Sequence, residues 1–191
     1  MGGVMSSLIP AGSASGTGSV TLQPVNTNNN RTVTFPDATG TVMVSGNMPA
    51  FSAYYAGTSQ TVSGSTWTKA TLDTEVFDTN NNFASSRFTP TVAGYYYISG
   101  VVRCTSSVTF SRYIVGIWKN GSEYYRGSET NFTSGLISQT QTGGSCIVYL
   151  NGSTDYVELY GYITGTGTLT FANDGAQAYT QSMTGCLVRA A

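Results

Sequence analysis

Apolar and polar residues alternate along much of this chain, the pattern that predicts β-strands rather than helices. In the run from Phe88 to Ile98, a Pro/Gly corner precedes Tyr96 and Ile98, which lie two residues apart and so share one face of a sheet. Gly, Ser, Thr and β-branched residues fill every window that could form a helix. The pattern therefore predicts an all-β sandwich of about ten short strands. The predicted strands are 51–55, 67–71, 75–77, 87–89, 95–104, 108–119, 145–150, 156–163, 168–171 and 185–189.

Turn signals separate these predicted strands. The stretch from Asp78 to Asn82 is rich in Asn and Asp, which tolerate left-handed backbone and bond their own main chain. Asn120-Gly121 and Asn151-Gly152 are both typical of β-hairpins. Residues 128–143 are mostly neutral and polar, which predicts an exposed loop.

The N-terminal quarter of the chain differs from the rest. Residues 1–18 are small and uncharged, which predicts a flexible tail or an anchor that only a partner orders. In residues 19–48, apolar residues alternate with Thr and Ser in short runs that cannot bury a core of their own. We therefore expect a slender β stalk wrapped with copies from neighbouring subunits, followed by a head formed by residues 49–191.

Several blocks of the predicted head resemble one known family. The stretch from Phe77 to Ile98 is similar to the signature of the complement C-one-q globular head, a trimeric jelly roll related to tumour necrosis factor. This resemblance implies a jelly-roll head and a homotrimer. Further blocks that resemble the family, in its order, are Phe51–Tyr54, Val115–Gly121, Asp155–Leu159 and the closing strand Gly185–Val188, with glycine where subunits crowd together.

A second resemblance lies upstream of the head. Residues Val33–Val42 look like a segment that recurs in bacteriophage tail-fibre and tail-collar proteins, where it commonly precedes a receptor-facing head. It implies a virion fibre or tail-tip protein on the tail or capsid surface, with residues 1–18 binding other virion proteins and the head contacting the host. The alternative is a capsid decoration or head fibre with a purely structural role.

Composition restricts the possible partners. Charged residues make up 9% of the chain and the formal net charge is −1, so no basic surface for nucleic acid is expected. No apolar run approaches the length of a membrane span, so membrane insertion is not expected. A surface rich in Ser, Thr, Asn and Gly is typical of extracellular, viral or fibrous proteins.

The residues that could carry catalysis are few, and no enzyme is predicted. Histidine, the usual general base, is absent. Glu123 with Glu129 is the pair left open for a glycosidase, although both are predicted to be solvated loop charges. Asp73 and Glu75, two apart on a predicted strand, form at most half of a calcium site. We therefore predict no catalytic residue, no cofactor and no bound metal.

The cysteines and the tyrosines remain. Cys104, Cys146 and Cys186 are widely spaced, and each is interpreted as a buried small hydrophobic residue. The 13 tyrosines either face the core and the three-fold axis or form an aromatic platform for sugar rings. In the second interpretation, the head recognises a host glycan without catalysis. The predicted contacts are Trp67, Tyr124, Tyr125, Arg126 and Asn131.

Overall fold

The computed structural model describes residues 44, 48–132, 139–172 and 179–191. All of them belong to the compact unit Val42–Ala191. The predicted tail, most of the predicted stalk and the segment 33–42 lie outside the described residues, so the domain boundaries remain predictions.

Within the described ranges the chain forms 13 strands and no helix, which confirms the all-β prediction. No helix in those ranges is long and apolar enough to cross a membrane. The strands are β1 (Ala50–Tyr54), β2 (Ser59–Val62), β3 (Thr68–Lys69), β4 (Thr74–Asp78), β5 (Phe83–Ala84), β6 (Arg87–Phe88), β7 (Ala93–Ser106), β8 (Phe110–Lys119), β9 (Ser122–Asn131), β10 (Gln139–Asn151), β11 (Val157–Gly165), β12 (Leu169–Ala172) and β13 (Gln181–Ala190).

The strand pairs are nested, as in a long hairpin folded over on itself. β8 pairs with β9, β7 with β10, β6 with β11 and β1 with β13, and every pair is antiparallel. Along the chain, the two strands of each pair lie on either side of the pair named before it. This arrangement is a jelly roll, so the predicted fold class is confirmed.

The strands form two sheets that enclose the core. The seven-stranded sheet has the order β2-β12-β7-β13-β1-β4, with β10 on the other edge of β7. The six-stranded sheet has the order β5-β6-β11-β8-β9, with β3 also beside β11. Tyr96 and Ile98 from the first sheet and Val157 and Leu159 from the second are fully buried, as their period of two predicts. The Phe51 ring stacks on that of Phe88 at 4.2 Å between ring centroids.

The edge strands β9 and β10, one from each sheet, approach each other closely where both carry glycine. A β-carbon at Gly127 of β9 would lie 2.9 Å from the α-carbon of Gly144 and 2.9 Å from the carbonyl oxygen of Gly143, both on β10. No larger residue fits between these backbones without moving one of them. The glycines therefore allow β9 and β10 to lie side by side at the seam between the two sheets.

The turn predictions are partly confirmed. Asp78 accepts hydrogen bonds from the backbone N–H of Asn80 at 3.3 Å and of Phe83 at 2.6 Å, which confirms the predicted turn. Asn120 and Gly121 both have positive φ and join β8 to β9 as a two-residue hairpin. The Asn151-Gly152 prediction is wrong, because β10 and the following β11 belong to different sheets and do not pair.

Three other predictions are corrected. Residues 128–131 belong to β9 and 139–143 to β10, so the described residues of the predicted loop 128–143 are strand except for Phe132, and 133–138 lie outside the described residues. Cys104 is buried as predicted, but Cys146 is partly exposed and Cys186 is exposed, because its side of β13 faces away from the core. Gly185, expected where subunits crowd together, instead faces this chain's own core, where a β-carbon would lie 2.6 Å from Ile98 Cδ1.

Candidate functional site

The six-stranded sheet presents an unusual set of side chains on its outer face. On β11, Val157 and Leu159 point into the core, so the alternating residues Glu158, Tyr160 and Tyr162 point outward. On β8, residues 113, 115 and 117 are in the core, so 112, 116 and 118 lie on the outer face. Long side chains from both strands thus meet on one surface.

Four aromatic rings form a cluster on this face, called here the ring cluster: Trp67, Trp118, Tyr160 and Tyr162. Trp118 stacks on Tyr160 with 4.1 Å between centroids and 17° between planes. Trp67 contacts Trp118 edge to face at 6.0 Å and Tyr162 at 5.5 Å. All four side chains are partly exposed, so the rings support one another while remaining open to solvent.

Trp67 reaches the cluster because β8 carries a glycine beneath it. Trp67 lies just before β3, which pairs with β11 at Tyr160 and Gly161. Gly116 stands opposite Tyr160 in the sheet, and a β-carbon there would lie 3.4 Å from the Trp67 ring. The missing side chain leaves the space that the indole occupies.

Ion pairs border the ring cluster along β9. Arg126 donates from Nε and Nη2 to both carboxylate oxygens of Glu123 at 2.7 and 2.9 Å, and its guanidinium lies 5.7 Å from the Trp67 ring centre. Arg112 donates to Glu129 at 2.8 Å and lies 5.7 Å from the Tyr162 ring. These hydrogen bonds from arginine hold the pKa of Glu123 and of Glu129 below the usual value.

A second ion-pair group lies at the other end of β11. Glu158 is buried, and its Oε1 atom is 3.2 Å from Lys69 Nζ and 2.9 Å from Arg87 Nη2. Arg87 also covers the Tyr156 ring at 3.6 Å. These contacts fix β3 and β6 against the edge of β11, which holds in place the segment just before β3 that contains Trp67.

The structure brings two of the five predicted contact residues together. Trp67 and Arg126 both belong to the surface just described. Tyr124 and Tyr125 instead lie toward β10: the Tyr124 hydroxyl donates to the Ile147 carbonyl at 3.4 Å, and the Tyr125 ring is near Gly144. Asn131 lies at the end of β9, where its side chain donates to Glu129 at 3.2 Å.

The residues that complete the cluster could have been suspected from the sequence. Trp118, Tyr160 and Tyr162 each alternate along their own strand with buried apolar residues, and this alternation places them on an outer face. The sequence does not show that these positions are neighbours, since β8 and β11 come together only through the jelly-roll pairing.

The other candidate chemistry is not assembled into a site. Glu123 and Glu129 lie on strand β9, not in loops as predicted, and each is bonded to an arginine rather than facing the other across a cleft. Asp73 accepts a hydrogen bond from the Ala56 N–H at 2.8 Å, and Glu75 is exposed on β4. Among the described residues no group of three or more Cys, Asp or Glu could hold a metal ion.

The opposite side of the sandwich carries an exposed apolar surface, called here the apolar end. It lies on the outer face of the seven-stranded sheet, where Tyr95 and Tyr97 of β7 alternate with buried residues. Tyr149 stands opposite Tyr95 with 5.5 Å between ring centroids, and Ile147 stands opposite Tyr97. Cys186 of β13 lies on the other side of Tyr97, and the exposed Val188 follows it.

Further along the same face the side chains become polar. Ser145 and Thr184 flank Ser99, one on each neighbouring strand. The exposed apolar residues of β7, β10 and β13 are therefore gathered at one end of the sheet, while Val76 and Phe77 are exposed separately on its edge strand β4. Concentration of this kind marks an interaction surface.

Comparisons with known proteins identify similar structures but no sequence relatives. No protein-family model matches the chain, and no curated protein matches it in sequence. Murine APRIL at pH 5.0 is similar in structure with a TM-score of 0.49 and 11% identity, over 74% of this chain and 99% of that chain. Eiger TNF from S. frugiperda has a TM-score of 0.46 and 9% identity, over 75% of this chain and 93% of that chain. At such identities the similarity concerns the fold alone.

Proposed function

We propose that this chain is a structural protein of a bacteriophage virion, a fibre or tail-tip protein whose homotrimeric head contacts the host cell surface without catalysis. The observation that carries the proposal is the apolar end of the seven-stranded sheet, which an isolated subunit leaves in water. The phage-like segment 33–42, directly upstream of the sandwich, supports a place on the virion. Residues 1–18 would bind the chain to other virion proteins.

Other copies of the same chain are the occupants that best suit the apolar end. Tyr95, Tyr97, Ile147 and Tyr149 are each at least 40% exposed on one face of the sheet. Removing apolar surface from water contributes about 25 cal/mol per Å². A closed three-fold assembly covers this face on every subunit and leaves no uncovered copy to extend a fibre. The resemblance to a trimeric head domain favours three copies.

Assembly through this side leaves the other side free for a receptor. The apolar end and the ring cluster are on the outer faces of opposite sheets, so three subunits joined through the first would present three ring clusters outward. Three weak sites held on one rigid head gain effective concentration without stronger individual contacts. Such avidity is appropriate for reversible attachment to a host surface.

Two measurements test the proposal. Light scattering of the purified protein should give three times the mass of one chain, and a stable monomer at micromolar concentration would contradict it. Virus particles that carry the chain truncated after residue 48 should adsorb poorly to the host. Normal adsorption would instead favour the purely structural alternative.

A further inference from the structure

We propose that the ring cluster binds an uncharged glycan, with Trp67 and Tyr162 stacking on sugar rings and the Arg126–Glu123 pair bonding sugar hydroxyls. This inference rests on the proposed function, since it names the receptor class and the surface that a host-contacting head would use. It places the contact on the outer face of the six-stranded sheet rather than on the Tyr124–Tyr125 side of β9.

The arrangement of the rings suits carbohydrate. The C–H faces of a sugar ring are apolar and pack on aromatic rings, while its hydroxyls need nearby donors and acceptors. Trp67 contacts Trp118 and Tyr162, and Trp118 stacks on Tyr160, so the rings are already held in place by one another. A ligand therefore orders few side chains when it binds, which reduces the entropy cost.

The Arg126–Glu123 pair supplies both kinds of hydrogen-bonding group at the border of the rings. Each sugar hydroxyl can donate and accept, so it is best bound by a donor and an acceptor side by side. Arg126 uses its Nε and one Nη2 donor for Glu123, and an arginine has five N–H donors in total. Glu123 in turn keeps lone pairs beyond those that Arg126 uses.

The charges on this face favour a neutral ligand over an anionic one. Four cations (Lys69, Arg87, Arg112 and Arg126) each lie within 3.2 Å of one of three carboxylates (Glu158, Glu129 and Glu123). An acidic polysaccharide or nucleic acid would have to compete with these carboxylates for the cations, whereas a neutral glycan leaves the pairs intact.

A buried donor within the cluster gives an independent indication. The indole Nε1–H of Trp118 is buried and has no hydrogen-bond partner; Gln181 Oε1 is the other such side-chain atom among the described residues. Buried polar groups are almost always bonded, so an unpaired one calls for a partner that is not part of the chain. Because its neighbours cover this atom, an acceptor would reach it only if the rings shift slightly when a ligand binds.

The chain contains its own probe for this site. It has two tryptophans, Trp67 and Trp118, and both belong to the ring cluster. Intrinsic tryptophan emission of the unlabelled full-length protein therefore reports on this surface alone. The titrants are soluble neutral hexose and N-acetylhexosamine oligosaccharides, with a uronic-acid oligosaccharide as the anionic comparison. We expect a saturable change in emission with at least one neutral oligosaccharide and none with the anionic one.

Variants locate the binding. Tyr162→Ala removes one ring of the cluster and should raise the dissociation constant of the oligosaccharide about tenfold, which corresponds to about 1.4 kcal/mol. Tyr124→Ala is the matched control, because it removes an exposed tyrosine from the neighbouring strand without touching a ring of the cluster. Thermal melts of both variants confirm that each is folded. If Tyr162→Ala does not fold, Arg126→Gln tests the hydroxyl contacts in the same titration.

The outcomes separate this inference from the proposed function. If head-truncated particles fail to adsorb but particles with Tyr162→Ala adsorb normally, the host contact stands and the ring cluster is not its site. Equal loss in the Tyr124→Ala control, or a change in emission with the anionic oligosaccharide alone, also overturns the inference. If head-truncated particles adsorb normally, the proposed function itself is wrong.

Discussion

Gly116 lies directly beneath the indole of Trp67, and a β-carbon at this glycine would be 3.4 Å from the Trp67 ring and 3.2 Å from the Tyr125 carbonyl oxygen. The contact joins the segment before β3 to the middle of β8 across the intervening β11. The ring cluster therefore depends on a residue that carries no side chain.

Gly116→Val should displace Trp67 from the sheet. The added isopropyl group needs space that the indole and the β9 backbone occupy, and overpacking of this kind costs about 1–3 kcal/mol. We expect a red-shifted tryptophan emission together with a lower urea midpoint. Gly161→Ala is the control, since its β-carbon meets Phe171 on the core side of β11. It should lower stability without shifting the emission, and an unchanged emission in Gly116→Val would contradict the contact.

The sequence predicts strands well where one face is buried. The alternation around Tyr96 and Ile98 predicts β7 because the odd and even residues of that strand differ sharply in exposure. The alternation fails for β9, whose residues are nearly all at the surface and whose pairing with β8 is broken by two register shifts, at Tyr124 and at residues 127–128. Without a buried face there is no period of two to read.

The candidate site was partly predictable for the same reason. Trp67 is one of two tryptophans and Arg126 one of few charged residues, so both are conspicuous in the sequence. The structure places Arg126 Cζ 5.7 Å from the centre of the Trp67 ring. Their neighbours Trp118 and Tyr160 come from strands that are distant in sequence and adjacent only in the folded sheet. Proximity of this kind follows from the nested pairing and not from any local pattern.

Ile147→Asp should convert the assembly into monomers. Ile147 is 56% exposed at the apolar end, and a carboxylate there would be buried without a partner when subunits meet. We expect light scattering to give the mass of one chain and circular dichroism to show an unchanged sheet content. Val108→Asp is a close control, because Val108 is also 56% exposed but lies in the loop between β7 and β8. A trimer that survives Ile147→Asp would exclude the apolar end as the interface.

Asp155 should make the stability of the protein depend on acidic pH. It accepts hydrogen bonds from Asn120 Nδ2 at 2.8 Å and from the Asn151 N–H at 3.2 Å, and it pairs with Lys119 at 2.9 Å. Lys119, and then Asn120, hold the pKa of this carboxyl below its usual value. A depressed folded-state pKa stabilises the protein above the unfolded-state pKa near 4 and loses that effect as pH falls through the folded-state value. The free energy of unfolding measured in urea should therefore fall more steeply below pH 4 in the native protein than in Asp155→Asn. Equal slopes of this free energy against pH would show that the Asp155 contact is not titrating.

The three cysteines should differ in reactivity, and the difference reports on assembly. Burial raises the pKa of Cys104 to about 12 and that of Cys146 to about 11, so neither is appreciably ionised at pH 8. Cys186 is exposed at the apolar end beside Tyr97, where a second subunit would cover it. A thiol reagent at pH 8 should thus modify about one cysteine per chain in monomeric Ile147→Asp and almost none in the native protein. Cys186→Ser in the Ile147→Asp background should abolish the reaction, and rapid modification of the native protein would mean that the apolar end is open to solvent.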